Sequence, residues 1–114
     1  MEAGKGFDAI IARQVMGWTK ATLHDDVTGP EAYWCMGGKA MAPVDSFTPS
    51  TDIASAWKVV EKLRAQGHHT ILSPHDEGWA LTIINAFTSG EDLVATAHTA
   101  PLAICLAALK AVQP

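Results

Sequence analysis

Two short clusters in this sequence carry side chains of the kind that hold a phosphorylated ligand. Ser50-Thr51-Asp52 stands immediately ahead of one helical stretch, and His98-Thr99 ahead of another. The first backbone N–H groups of a helix have no partner within it, so with neighbouring hydroxyls they can bind an anion. Asp52 would repel a phosphate but can accept from a ribose hydroxyl. Arg13, Lys20 and Lys39 could add positive charge. Tyr33 and Trp34 are adjacent on a strand-like segment and must face opposite sides of it. One of the two rings is therefore free to stack on a base, unless both faces of the sheet are covered. The same polar residues have an ordinary structural use, since Ser, Thr and Asp are N-caps worth about 1 kcal/mol each.

Catalytic and metal chemistry finds less in the sequence to work with. Five histidines are present, His24, His68, His69, His75 and His98. The neighbours His68 and His69 would point to opposite faces if extended, which is poor for chelation. His75-Asp76-Glu77 is a compact polar turn without the i, i+4 histidine spacing of a helical zinc site, and no CxxC pair occurs. Cys105 lies within Ala-Ile-Cys-Leu-Ala, the surroundings of a small buried hydrophobe, and Cys35 sits between Trp34 and Met36. Ser50, Ser55 and Ser73 lack a nucleophile-elbow context. Gly4-Lys5-Gly6 and Gly37-Gly38-Lys39 are too short for a phosphate loop. The expectation is a non-enzymatic protein with no cofactor and no metal.

The element that must position the first cluster is the clearest helix in the chain. Its stretch runs from Pro49 to Gly67, with Ser50 or Thr51 as N-cap and Gly67 as stop. Ile53, Ala56, Trp57, Val60 and Leu63 recur at helical spacing and predict a core stripe, away from Lys58, Glu61, Lys62 and Arg64. An earlier helix is expected over Phe7–Trp18, with Phe7, Ile10, Ile11, Val15 and Trp18 close to one face. Thr19–Leu23 and Glu31–Met36 read as strands joined by the polar turn His24–Pro30. Gly37–Pro49 has no period and reads as an irregular connection. After the central helix come three strands, His69–Ser73, Trp79–Phe87 and Leu93–Ala97, joined by the turns Pro74–Gly78 and Thr88–Glu91. Thr99 caps a last helix that carries Pro101 in its first turn and runs to about Val112.

The order is therefore α-β-β-α-β-β-β-α. Hairpins with intervening helices favour a mostly antiparallel sheet of four to five strands in an α+β domain. The last helix has almost no polar face, which implies either a very central helix or a subunit interface. A homo-oligomer formed through the C-terminal helix is the expectation drawn from it.

The chain as a whole sets bounds on these readings. Its 114 residues fit one domain spanning 1–114, large enough to bury a core without disulfides. A 48% hydrophobic and 18% charged composition is that of a folded domain. The net charge of −4 argues against binding long nucleic acid. Ala100–Val112, the longest apolar region, is too short to span a bilayer and is interrupted by Lys110. Met1–Gly6 leads into an amphipathic segment, not an apolar signal region, so the expected location is cytoplasmic.

Three segments give the sequence a distinctive set of features. They are Val15-Met16-Gly17-Trp18 after the first helix, Pro49-Ser50-Thr51-Asp52-Ile53-Ala54-Ser55-Ala56-Trp57-Lys58-Val59-Val60-Glu61-Lys62 at the centre, and Thr99 to Ala111 at the end. In this set and order the chain resembles the phage ABA sandwich domain family, small proteins encoded by phages and prophages. The resemblance implies a compact α/β/α sandwich, a viral origin and a place of action inside the host bacterial cell; it transfers no catalytic residues. Small phage accessory proteins often act by binding, and one class sequesters cyclic-nucleotide or ADP-ribose-derived immune signals.

The expected function is accordingly to bind and sequester a small, nucleotide-like host signal and so counter anti-phage defence. Tyr33, Trp34, Ser50, Thr51, Asp52, His98, Thr99 and Arg13 are the candidate site residues. The alternative is a protein–protein module, either a host-factor inhibitor or a phage assembly accessory.

Overall fold

The computed structural model describes residues 2–25, 29–84 and 90–112. The elements are α1 (Lys5–Gln14), β1 (Thr19–Asp25), β2 (Gly29–Met36), β3 (Lys39–Pro43), α2 (Ile53–Ala65), β4 (His69–His75), β5 (Gly78–Ile84), β6 (Leu93–Ala97) and α3 (Ala100–Val112), with one 3-10 turn at Val44–Ser46. The α+β class and the helix–strand order agree with the sequence reading. The strands are more numerous and form two antiparallel sheets, β1-β2-β3 (sheet A) and β4-β5-β6 (sheet B). The middle of the expected His24–Pro30 turn, the end of the expected Trp79–Phe87 strand and the first half of the Thr88–Glu91 turn lie outside the described residues.

The extra strand is β3, in a region expected to be irregular. Gly37 and Gly38 both take positive φ, 59° and 79°. Such a pair makes a two-residue turn whose twist matches a hairpin, and glycine reaches that conformation without strain. Met36 then pairs with Lys39, Cys35 with Ala40 and Trp34 with Ala42, leaving Met41 in a bulge.

Helix α1 ends earlier than its periodicity implies. The Val15 and Met16 amides both donate to the Ile11 carbonyl, the Trp18 amide donates to Ala12, and Gly17 has φ 74°. This closing turn folds Val15, Met16 and Trp18 into the core, where Trp18 meets Phe47 with ring centroids 4.8 Å apart. The hydrophobic positions were therefore legible while the helix end was not.

Helix α2 corrects two further expectations. It starts at Ile53 with Asp52 as its N-cap, the Ser55 amide donating to Asp52 Oδ2 at 2.9 Å. Ser50 and Thr51 precede the cap. The buried face is Ser55, Ala56, Val59, Val60 and Leu63, while Ile53 and Trp57 are 49% and 46% exposed. At about 100° per residue, Ile53 and Trp57 fall on one edge of that face. Ser55 draws the helix the other way, because its hydroxyl donates to the Ser46 carbonyl and accepts from the Thr48 amide.

Sheet B carries the main core on one face. Leu72 pairs with Leu81 and Leu81 with Ala95; Ile83 pairs with Leu93. Leu81, Ile83, Leu93 and Ala95 are buried beneath α3, which packs on β5 and β6, on α2 and on α1. Ala103, Ile104, Cys105, Ala107, Ala108 and Leu109 are consequently buried within the chain. Central placement accounts for the apolar circumference of α3, so its composition does not require a subunit interface. None of the described helices is long and apolar enough to cross a membrane.

Sheet A is held differently. Its buried positions are Trp34 and the cross-strand Ala42, and most of its other described residues are exposed or half-buried. The molecule measures 50 × 30 × 19 Å, with a radius of gyration of 15.0 Å. A compact domain of this length would have about 13 Å. The fold is thus a helix-covered sheet with a second sheet attached by its base.

Candidate functional site

The residues singled out in the sequence occupy separate places. Arg13 and Trp34 meet where α1 crosses sheet A, with the guanidinium 5.4 Å from the centre of the indole ring. Trp34 is only 2% exposed, so its faces are taken up by this packing and it offers no stacking platform. Tyr33 lies on the opposite face of sheet A, half-buried, and its hydroxyl donates to Glu31 Oε2 at 3.0 Å.

The Ser50-Thr51-Asp52 cluster is structural in its first member and capping in its last. Ser50 is buried; its amide donates to Asp8 Oδ1 at 2.8 Å, and its hydroxyl accepts from the Gly4 amide at 2.9 Å. Those bonds tie the start of α1 to the approach to α2. Thr51 is exposed, and its amide donates to the Thr48 carbonyl. With the Asp52 carboxylate seated on the first turn of α2, negative charge already occupies the place an anion would take. The small pocket beside Trp34 and Asp8, lined also by Lys5, Asp45, Phe47 and Thr48, holds about 50 Å³, room for water but not for a nucleotide.

His98 belongs to a different and larger feature. A cleft of about 450 Å³ opens at the start of α3, between the β4–β5 turn and the end of β6. This is within the size range of small-molecule sites. Trp79, Ala97, Leu102 and Leu106 give it apolar walls, and His75, Glu77, Thr96 and His98 give it polar ones. His98 Nδ1 lies 3.3 Å from the Glu77 carbonyl oxygen. A carbonyl can only accept, so Nδ1 carries the proton and Nε2 of the neutral ring is an acceptor. Thr99 caps α3, its hydroxyl accepting from the Leu102 amide at 3.4 Å. Pro101 has no amide hydrogen, so the helix start contributes few free donors.

Close backbone contact builds this cleft. At Gly78 a Cβ would overlap the Ala97 carbonyl oxygen and come within 2.9 Å of His98 Cα. Only glycine lets the β4–β5 turn lie so near the end of β6. The His75-Asp76-Glu77 turn, the histidine before Thr99 and the strand carrying Trp79 are each visible in the sequence. That they meet is not, because the meeting depends on the pairing of Trp79 with Ala97. The glycine between an acidic turn and a tryptophan was the available signal.

Neither cysteine adds a nucleophile to the cleft. Cys105 is fully buried, and burial first, then the nearby Asp8 carboxylate, push its thiol well above the ordinary cysteine range. Cys35 is half-buried on sheet A. No group of three or more His, Cys, Asp or Glu side chains converges as metal ligands among the described residues.

Fold and site together define a small α+β sandwich domain with a ligand-sized cleft at the start of its central helix. Residues 9–109 match the family model of the phage ABA sandwich domain, and the chain belongs to that family. Among solved structures it is similar to a phage protein from Bacillus cereus ATCC 14579 known from a crystal structure. The identity is 27% and the TM-score 0.66, over 98% of this chain and 93% of that one. No curated protein matches the sequence significantly.

Proposed function

We propose that this phage protein is a non-enzymatic accessory that binds and sequesters a small, nucleotide-like signal of its bacterial host, countering anti-phage defence inside the cell. The observation that carries this reading is the 450 Å³ cleft, with Trp79, Leu102 and Leu106 on one part of its wall and His75, Glu77 and His98 on another. A nucleoside has the same division into a flat apolar base and a hydroxyl-rich sugar. Trp79 takes the stacking role that Trp34 cannot fill. Glu77 accepts from ribose hydroxyls, and the two histidines donate to or accept from the polar edge.

The reading of simple retention is supported by the character of the cleft walls. Among the described residues they carry no cysteine, lysine or serine.

The test is retention and release. Purified protein is incubated with cyclic dinucleotides, cyclic trinucleotides and ADP-ribose derivatives, washed, heat-denatured, and the released compounds identified by mass. Intact compound released only on heating, and lost from Trp79→Ala and His98→Ala proteins that still fold, is the expected result. Converted product would make the protein an enzyme, and retention of none of these compounds would end the proposal.

A further inference from the structure

Sheet A has a chemistry that the cleft does not use. Lys20 pairs with Trp34 across β1 and β2, and Met36 pairs with Lys39 across β2 and β3. Residues paired across antiparallel strands share a face, as do residues two apart on one strand. Lys20, Trp34, Met36 and Lys39 therefore lie on a single face of sheet A. Arg13 reaches that face from α1, its guanidinium carbon 5.4 Å from the centre of the Trp34 ring. Three of the chain's eight Lys and Arg residues are thus gathered here, in a protein of net charge −4.

All three cations are exposed, and none is within ion-pair distance of a carboxylate among the described residues. Asp8, Asp45 and Glu31 have other partners. Asp8 holds the Ser50 amide, Asp45 pairs with Lys5 at 3.7 Å, and Glu31 projects from the opposite face with Tyr33. The ring contact restrains the Arg13 guanidinium, so part of its ordering cost is met before any partner arrives. Met36, 47% exposed, adds a polarizable apolar contact beside Lys39.

We infer that this face of sheet A docks an acidic protein segment. Lys20 and Lys39 stand on strands two apart and two residues out of line, about 12 Å from each other, close to the spacing of same-face carboxylates four residues apart in an extended segment. The thioether of Met36 beside Lys39 suits a partner that carries apolar side chains on the same face as its acidic ones, and phosphate alone would leave that contact unused. The bulge at Met41 and Pro43 on the outer strand β3 discourage strand addition, so the segment lies on the face and not along the edge. This surface is independent of the cleft.

The probe is a fluorescein-labelled dodecapeptide of repeated Glu-Ser-Leu-Ser, which puts Glu and Leu on one face when extended, followed by anisotropy, with oligothymidylate and tripolyphosphate as competitors. Saturable peptide binding at low salt, lost at about 0.5 M salt, is expected. Lys20→Glu with Lys39→Glu should weaken it by roughly tenfold or more, one decade in Kd. Met36→Ser should weaken it at unchanged salt dependence, and Trp79→Ala should leave it unchanged. Both lysines are exposed, so the unfolding transition of the double variant should match the wild type and separate lost binding from lost fold. No saturable binding, or binding indifferent to the charge reversals, overturns the inference. Stronger competition by oligothymidylate or tripolyphosphate than by unlabelled peptide overturns it in favour of a phosphate site.

Discussion

The Ser50 amide donates to Asp8 Oδ1 at 2.8 Å, joining residues 42 apart in sequence inside the protein. Asp8 is 5% exposed and Ser50 is 1% exposed. The bond fixes the start of α1 against the loop that leads into α2, and the Gly4 amide on the Ser50 hydroxyl closes the same junction. Removing the carboxylate would leave a buried amide without an acceptor, at a cost of about 1–3 kcal/mol.

Asp8→Ala should therefore lower the free energy of unfolding by about 2 kcal/mol, and Asp8→Asn by less, since the amide oxygen can still accept. Urea unfolding at neutral pH measures both. An Asp8→Ala protein as stable as the wild type would remove the junction from the account.

Exposure along α2 gives a paired expectation. Leu63→Ala should cost about 2–5 kcal/mol, as at other buried leucines, because Leu63 is fully buried. Trp57→Gln should cost under about 1 kcal/mol, since nearly half of that side chain is in water. Thermal melts of the two variants decide it; equal losses would mean that Trp57 faces the core after all.

At Gly78, substitution acts on the cleft and the fold together. Gly78→Ala should cost about 2–3 kcal/mol and push the β4–β5 turn away from His98, because the added carbon overlaps the Ala97 carbonyl. The readouts are the unfolding midpoint and, in protein still folded, retention of the nucleotide probe. Both should fall, and an unchanged midpoint would contradict the close approach.

The two thiols should separate cleanly by reactivity. At pH 8 a disulfide reagent should modify half-buried Cys35 readily and Cys105 only on unfolding, since Cys105 is buried and its thiol is held protonated. The sign of the pH effect follows. Burial raises the pKa of Cys105 in the folded protein above its unfolded value of about 8.5. Its contribution is full below that pH and declines as pH rises beyond it, by up to about 1.4 kcal/mol per unit. Comparing urea unfolding at pH 7.5 and 9.5 in wild type and Cys105→Ala isolates the effect; the same slope in both would assign the loss elsewhere.

The anchoring of sheet A supplies a further expectation. Trp34→Ala should cost about 3–5 kcal/mol, and Arg13→Ala about 0.5–1 kcal/mol through the lost ring contact. If Trp34 were a ligand platform, truncation would spare stability, so denaturant unfolding distinguishes the two roles.

Local chemistry determined much of this protein. The positions of α2 and α3, the Thr99 cap, strand β6 and the α+β order were legible because periodicity, capping residues and turn residues act within a few residues of one another. The Gly37-Gly38 turn was legible in principle, and β3 follows from it. Tertiary structure decided which side of α2 is buried, since Ser55 is drawn to Ser46 and Thr48 and turns Trp57 outward. It also decided that Trp34 packs beneath Arg13, that Ser50 serves Asp8, and that Trp79 shares a cleft with His98. Each of these depends on partners 7 to 42 residues away, and short-range patterns carry little record of such distances. The helix starts were visible as caps from the sequence; which of them borders a cleft was settled only when β5 paired with β6.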